Sequence, residues 1–323
     1  MILPDESNFT ARLGVIALKP KMLYYYGKIP EDDQRFLEFG PRYKFEQAGR
    51  PRSVAVVGAR KNTEYGREQA YKIAYNLAKV GVVVISGLAY GIDSIAHRAT
   101  LDAKGITVAV LGTPIDQIYP ASHLGLAKEI VSSGGAVISE YDRWSEIKKD
   151  EKMSKFFQSS SGRKAAFLHR NRLISGLADI VIVVEADLRS GSLNTAHHAF
   201  EQSNLVYAVP GDVTRVSSRG CNRLLGRGAV AMTDLTEVLM DLGINEKMQQ
   251  RVEQQVLQGG NEDENRILQQ LRSGISDGES IMQKINQVET EGMDVPRFAA
   301  AMFGLQMSGR VKSMGGNKWL LVD

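Results

Sequence analysis

Ser53-Val54-Ala55-Val56-Val57-Gly58-Ala59-Arg60-Lys61-Asn62-Thr63-Glu64-Tyr65-Gly66 decides the fold class. Val54–Val57 is short, β-branched and unbroken in its apolar character, as a strand buried on both faces must be. A glycine turn follows it. Ala70, Ile73, Ala74, Leu77 and Ala78 then keep the i, i+3, i+4, i+7, i+8 spacing of one apolar helix face. The same kind of run recurs at Val82–Ile85, Thr107–Leu111, Ala136–Ser139, Ile180–Val184 and Leu205–Val209, with helical patterns between most of them. Alternation of this sort predicts an α/β fold, a doubly wound and mainly parallel sheet over residues 52–242.

On the N-terminal side, residues 1–51 read as a reduced lead-in. They are interrupted by Pro4, Pro20, Pro30 and Pro41, with an aromatic run at Tyr24–Tyr26 and one short helix around Glu31–Phe39. On the other side, residues 243–261 are rich in Gln and Glu, end in Gly259-Gly260 and read as a linker. Residues 262–323 form a small module. Ile267, Leu268 and Leu271 open one helix, Ile281, Ile285 and Val288 mark a second, and Val295, Phe298, Ala299, Met302 and Phe303 a third. Arg310–Lys312, Gly315-Gly316-Asn317 and Lys318–Val322 then read as strand, turn and strand, which completes a winged-helix pattern.

Bulk composition is that of an ordinary soluble globular chain: 323 residues, 43% hydrophobic, 24% charged, formal net charge +3. That balance permits a nucleic-acid partner where cations cluster. The lone cysteine, Cys221, builds neither a disulfide framework nor a zinc site, and no Asp/Glu spacing matches a metal loop, so no metal and no cofactor are expected. There is no signal-length apolar stretch and no run approaching the roughly 20 residues of a membrane span, which points to the cytoplasm and away from the membrane.

Ligands of doubly wound sheets bind beyond the carboxyl ends of the strands, and the unusual residues gather there. The Gly58–Gly66 turn lacks the second glycine of a dinucleotide fingerprint and carries Arg60 and Lys61, suited to a phosphate at a helix N-terminus, although the turn taken alone reads more simply as a solvated loop with two surface cations. In Ser86-Gly87-Leu88-Ala89-Tyr90-Gly91-Ile92-Asp93, Gly87 and Gly91 allow a sharp turn or close approach to a ligand, Asp93 suits an N-cap, and His97 reads as a packing residue. Arg170, Asn171 and Arg172 are expected at or just before the start of a helix, either gripping phosphates or paired with acids such as Asp179 or Glu185. In the Glu185–Ala196 stretch, Arg189 and a small-residue loop run into a helix. There the amides of Gly191 and Ser192 and the hydroxyls of Ser192 and Thr195 suit a phosphate, and Ser192 equally suits an N-cap. Tyr65, Tyr90 and Tyr119 are candidates for stacking on bases, with core packing the preferred role for at least one. Repeated phosphate-holding loops without a G-x-S-x-G elbow or an evident acid–base pair point to binding rather than catalysis.

Taken in order, Gly58-Ala59-Arg60 with Tyr65-Gly66, Ser86–Asp93 with Ala96-His97, Tyr119-Pro120, Ser139-Glu140, Arg170-Asn171-Arg172, Ser190–Leu193 with Thr195-Ala196, and Ala208–Gly211 resemble the DNA-processing protein A (DprA, or Smf) family. The resemblance covers residues 50–242, and the C-terminal module resembles the winged helix that many members carry. It implies an extended Rossmann-like fold that binds single-stranded DNA, forms a homodimer and loads the recombinase RecA onto incoming DNA in natural transformation. It places Arg60 in the basic DNA pocket, with Arg170, Arg172 and the 189–192 loop beside it. The chain departs from the family at Ala59, His123 and Leu168, where serine, asparagine and proline are common, and at Arg189, where lysine is frequent. Similar folds also include phosphoribohydrolases that cleave nucleoside monophosphates. Their Pro-Gly-Gly-x-Gly-Thr loop corresponds here to Ser190–Thr195 without the glutamate that follows it. That enzyme is the alternative reading.

Overall fold

The computed structural model describes residues 1–31, 50–244, 261–288, 292–307 and 310–321. The chain divides into two compact units, Met1–Asn245 and Glu246–Asp323.

In chain order the first unit contains β1 (Tyr24–Gly27), β2 (Ser53–Val57), α1 (Glu64–Lys79), β3 (Val83–Ser86), α2 (Ile92–Asp102), β4 (Thr107–Leu111), α3 (Leu124–Ser132) and β5 (Ala136–Ser139). It continues with α4 (Trp144–Ile147), α5 (Glu151–Gln158), α6 (Ser160–Leu177), β6 (Ile180–Val183), α7 (Ser192–Glu201), β7 (Leu205–Ala208), α8 (Arg219–Leu225), β8 (Val230–Ala231) and α9 (Leu235–Asp241). The sheet order is β1-β5-β4-β3-β2-β6-β7-β8. Every pairing is parallel except that of β1 with β5. The chain steps outward from β2 to β5, then returns to lay β6 on the other side of β2. The strand order therefore reverses between β2 and β6, where doubly wound sheets place their ligand crevice.

Every residue of β2 through β6 is buried, so the strands read as unbroken apolar runs rather than alternating ones. Leu173, Ile174 and Leu177 of α6 and Ala196 and Ala199 of α7 cover one face of the sheet through Ala55, Val57, Ile85, Val110, Val181 and Val183. Leu126, Ala127 and Ile130 of α3 pack on Ala109, Leu111 and Val137 on the other. The lead-in residues contribute to the same unit. Phe9, Leu13 and Leu23 are buried in its core, and the aromatic run forms the edge strand β1, with Tyr24 opposite Ser139. Arg12 and Arg50 both bond Asp179 at 3.0 Å, which ties the N-terminal segment to the foot of β6. The helix expected around Glu31–Phe39 falls, beyond Glu31, outside the described residues.

Two expectations are corrected. Arg170 and Arg172 are not at the start of a helix. α6 begins at Ser160, capped by Ser159, whose hydroxyl accepts from the Gly162 amide at 3.0 Å. Ser159-Ser160-Ser161-Gly162 looks like a loop, and the arginines lie in the second half of the helix. Nor does Asp93 cap α2. Gly91, at φ +76°, holds that position. The Asp93 carboxylate instead accepts from the amides of Gly87 and Ala89 and so ties down the preceding loop.

The second unit comprises α10 (Glu262–Arg272), α11 (Gly278–Val288), α12 (Val295–Met307) and an antiparallel hairpin of β9 (Val311–Gly315) and β10 (Lys318–Leu321). Ile267, Leu268, Ile281, Ile285, Phe298, Met302 and Leu305 form its core. Val295 and Phe303, at the expected helix spacing, face outward instead.

Candidate functional site

Beyond the carboxyl ends of β2 and β6 lies a groove of about 910 Å³. Arg60 and Lys61 border it from the turn after β2, and Arg189, Gly191, Ser192 and Thr195 from the turn after β6 and the start of α7. Arg170 and Asn171 contribute from α6. Gly87 lines a small adjoining recess with Arg60, Tyr90, Tyr119, Phe167 and Arg170. The structure thus brings nine of the ten candidate positions to one rim.

Arg172 is the exception and is corrected. It is 3% exposed, and its Nη2 donates to both carboxylate oxygens of Glu140, at 2.6 and 2.7 Å. Residues two apart on a helix point about 200° away from each other, so Arg170 and Arg172 cannot serve one groove. The ion-pair alternative holds for Arg172, with Glu140 in place of Asp179 or Glu185 as its partner.

Arg170 sits on the floor. Its Nη1 donates to the carbonyls of Gly87 and Val110 and its Nε to Asn171 Oδ1. Burial lowers its pKa to about 10, against the raising effect of Asp93, so it is charged at neutral pH. Burial likewise raises the Asp93 carboxyl, opposed by Arg170 and the loop amides. Gly87 is wedged between them: a Cβ there would stand 2.7 Å from Arg170 Nη2 and 2.8 Å from Asp93 Oδ2.

Contrary to expectation, groups of the chain itself occupy the start of α1: the Gly66 amide donates to Thr63 Oγ1 at 3.2 Å, and the Thr63 amide donates to a buried carboxylate. Glu185 is buried there, its Oε2 accepts from the Thr63 amide at 2.8 Å, and any side chain at Gly66 would strike it. A carboxylate of the chain itself therefore fills the first turn of α1, where a dinucleotide would place its pyrophosphate. The N-terminus of α7 differs. Gly191 is its cap, so Ser192 is the first helical residue and not the cap. The amides of Gly191 and Ser192 make no hydrogen bond among the described residues. Asn171 Nδ2 fixes this turn through Gly191 O at 3.2 Å and Asn194 Oδ1 at 3.1 Å. Ser192 Oγ pairs with Ser190 Oγ at 2.7 Å, and Thr195 is almost wholly buried, so the hydroxyls are engaged or covered within the turn.

Sequence reasoning missed Arg163, Lys164 and Phe167, all lining the groove from α6. Arg60, Lys61, Lys164 and Arg189 are exposed around its mouth. The Arg60 guanidinium lies 5.7 Å from the centre of the Phe167 ring, and Tyr119 packs on Phe167 at 5.2 Å. Of the three tyrosines, Tyr119 lines the groove and Tyr90 the recess, whereas Tyr65 turns its hydroxyl to Pro210 O. His97 is fully buried, with its Nδ1 2.7 Å from Thr107 Oγ1, and burial pushes its pKa down to about 3. Burial pushes the Cys221 thiol up to about 12. Neither group is placed at the groove. No cluster of three or more metal-ligating side chains occurs among the described residues, and no described helix is long and apolar enough to cross a membrane.

The sequence profile described as DNA recombination-mediator protein A matches residues 44–243. The Escherichia coli protein Smf is 39% identical over 189 residues, which is 58% of this chain and 46% of that protein. The chain thus spans about half the length of that relative. The structure of DNA processing protein A from Streptococcus pneumoniae is similar with a TM-score of 0.55 and 35% identity, covering 71% of this chain and 69% of that one. DNA processing protein A from Helicobacter pylori, solved for its single-stranded DNA binding mode, is similar with a TM-score of 0.54 and 28% identity, over 72% and 91% of the two chains. The ordered motifs, the doubly wound sheet and these matches agree: the chain belongs to the DNA recombination-mediator protein A family, the DprA/Smf proteins.

Proposed function

We propose that this protein grips single-stranded DNA in the groove at the β2–β6 reversal and, as a cytoplasmic homodimer, loads RecA onto incoming strands during natural transformation. The observation that carries the reading is the groove's chemistry: Arg60, Lys61, Lys164 and Arg189 around an open mouth, two free amides at α7, and Phe167 and Tyr119 beside them. Cations neutralise phosphates and release counterions, the helix terminus fixes the backbone path, and aromatic faces stack on bases of any identity. None of these steps makes or breaks a covalent bond. The single-strand binding named for the H. pylori relative supports the same reading. Two subunits on one strand add avidity and expose a spaced, extended substrate to a recombinase.

Titrating oligo-dT at two salt concentrations tests the binding. Arg60→Ala is expected to weaken it and to make the log–log salt slope shallower by about 0.7. A folded variant with unchanged affinity and slope refutes the pocket. RecA filament growth on coated oligo-dT tests the loading, and equal growth with and without the protein refutes that part.

A further inference from the structure

We propose that the bound single strand continues out of the groove along a second cationic track formed by Arg215, Arg219, Arg223 and Arg227. The inference rests on the single-strand reading above. These arginines recur every fourth residue through the segment that contains α8, and all four are exposed. Arg219 and Arg223 stand one turn apart on one face of α8, while Gly220, Cys221 and Leu224 face inward. Among the described residues none of the four makes an ion pair. Acidic groups beside the track are engaged elsewhere: Asp212 turns its carboxylate to Thr214, Asp187 accepts from the Leu188 amide, and Glu185, near Cys221, is buried and accepts from the Thr63 amide. Like charges one helical turn apart, as at Arg219 and Arg223, repel one another, and a polyanion relieves that cost.

The first turn of α8 adjoins the turn that borders the groove. The Gly220 amide donates to Ala186 O at 2.7 Å, and a Cβ on Gly220 would stand 2.8 Å from Asp187 O. α8 therefore abuts the Ala186–Ser190 turn that carries Arg189 into the groove. Asn222 holds the other side, exchanging hydrogen bonds with Gly211 N and O after β7. Groove and track thus meet at the carboxyl rim, where α8 begins; α8 then leads back towards the start of the parallel strand β8, so a strand leaving past Arg189 meets Arg219 first and Arg223 and Arg227 beyond it.

The test compares oligo-dT of about 6 and about 20 nucleotides, within and beyond one groove's reach, on the full chain. The triple variant Arg219→Ala/Arg223→Ala/Arg227→Ala is expected to bind the short oligonucleotide within about twofold of the parent. It should bind the long one about tenfold more weakly, with a salt slope shallower by about two. The same positions changed to lysine should retain long-strand binding, which separates charge from damage to the fold. Parental affinity and slope for the long strand in the folded alanine variant would overturn the proposal. So would a change in sedimentation coefficient with no change in long-strand affinity, which would assign the stripe to contact between copies. A parent that binds only the long strand, through these arginines, sinks the groove reading and keeps the track.

Discussion

Arg170 and Arg172 show how far two neighbours can diverge. One is held on the groove floor by Gly87 O, Val110 O and Asp93, the other on the far side of the helix by Glu140. Their substitutions should therefore separate. Arg172→Ala leaves the half-buried Glu140 carboxylate without its main partner and is expected to cost about 2–3 kcal/mol in urea unfolding, while the folded fraction keeps its affinity for oligo-dT. Gly87→Ala forces a methyl group between Arg170 and Asp93, and should cost about 1–3 kcal/mol and weaken strand binding together, since the floor must shift. Stability intact with binding lost, or the reverse, would contradict that coupling. His97 gives a pH signature. Thr107 spends its hydroxyl proton on Val84 O, so it accepts from Nδ1–H and the buried ring is neutral. With the folded pKa down at about 3 against 6.5, the unfolded chain takes up the proton first. Stability then falls as pH drops from about 6.5 towards about 3, by a few kcal/mol in all. Urea midpoints across that range should show the decline in the parent and a flatter curve in His97→Gln.

At the scale of elements, α6 organises the groove and is also where the sequence was hardest to read. The parallel strands were legible because both faces are buried, leaving runs such as Val54–Val57 with no polar interruption. α6 carries a sheet-packing face, Leu173, Ile174 and Leu177, only in its last turns, and arginine, lysine and asparagine before them, so no apolar period marks its start. Its groove face is nonetheless regular: Ser160, Arg163, Lys164, Phe167, Leu168 and Asn171 follow i, i+3, i+4, i+7, i+8, i+11. Extending the helix back to Ser160 would have recovered the missed cations and removed Arg172 from the site. Edge strand β1 escaped for a different reason: paired on one side only, its tyrosines are partly exposed and do not form a buried run. Lys164→Ala tests the groove face. It should make the salt slope of oligo-dT binding shallower by about 0.7, the increment for one phosphate contact on a single strand. No change would leave Lys164 as a solvated surface charge.

At the scale of the whole molecule, the two compact units carry different surfaces. The groove and the arginine track lie entirely within Met1–Asn245. In the second unit, α12 presents Val295, Ala299, Phe303 and Met307 outward, and its one arginine, Arg297, is clamped by Asp263 at 2.7 and 2.9 Å. A helix that reads a DNA major groove needs arginine, lysine, asparagine or glutamine free at its surface, and here only Gln306 is both polar and exposed. Strand binding should therefore reside in the first unit alone. A chain ending at residue 244 is expected to bind oligo-dT with the affinity and salt slope of the full protein, and neither form should shift a duplex of equal length at comparable concentration. Loss of most of the affinity in a folded truncation, or a duplex shift that disappears with the second unit, would move nucleic-acid recognition onto α12 and the hairpin.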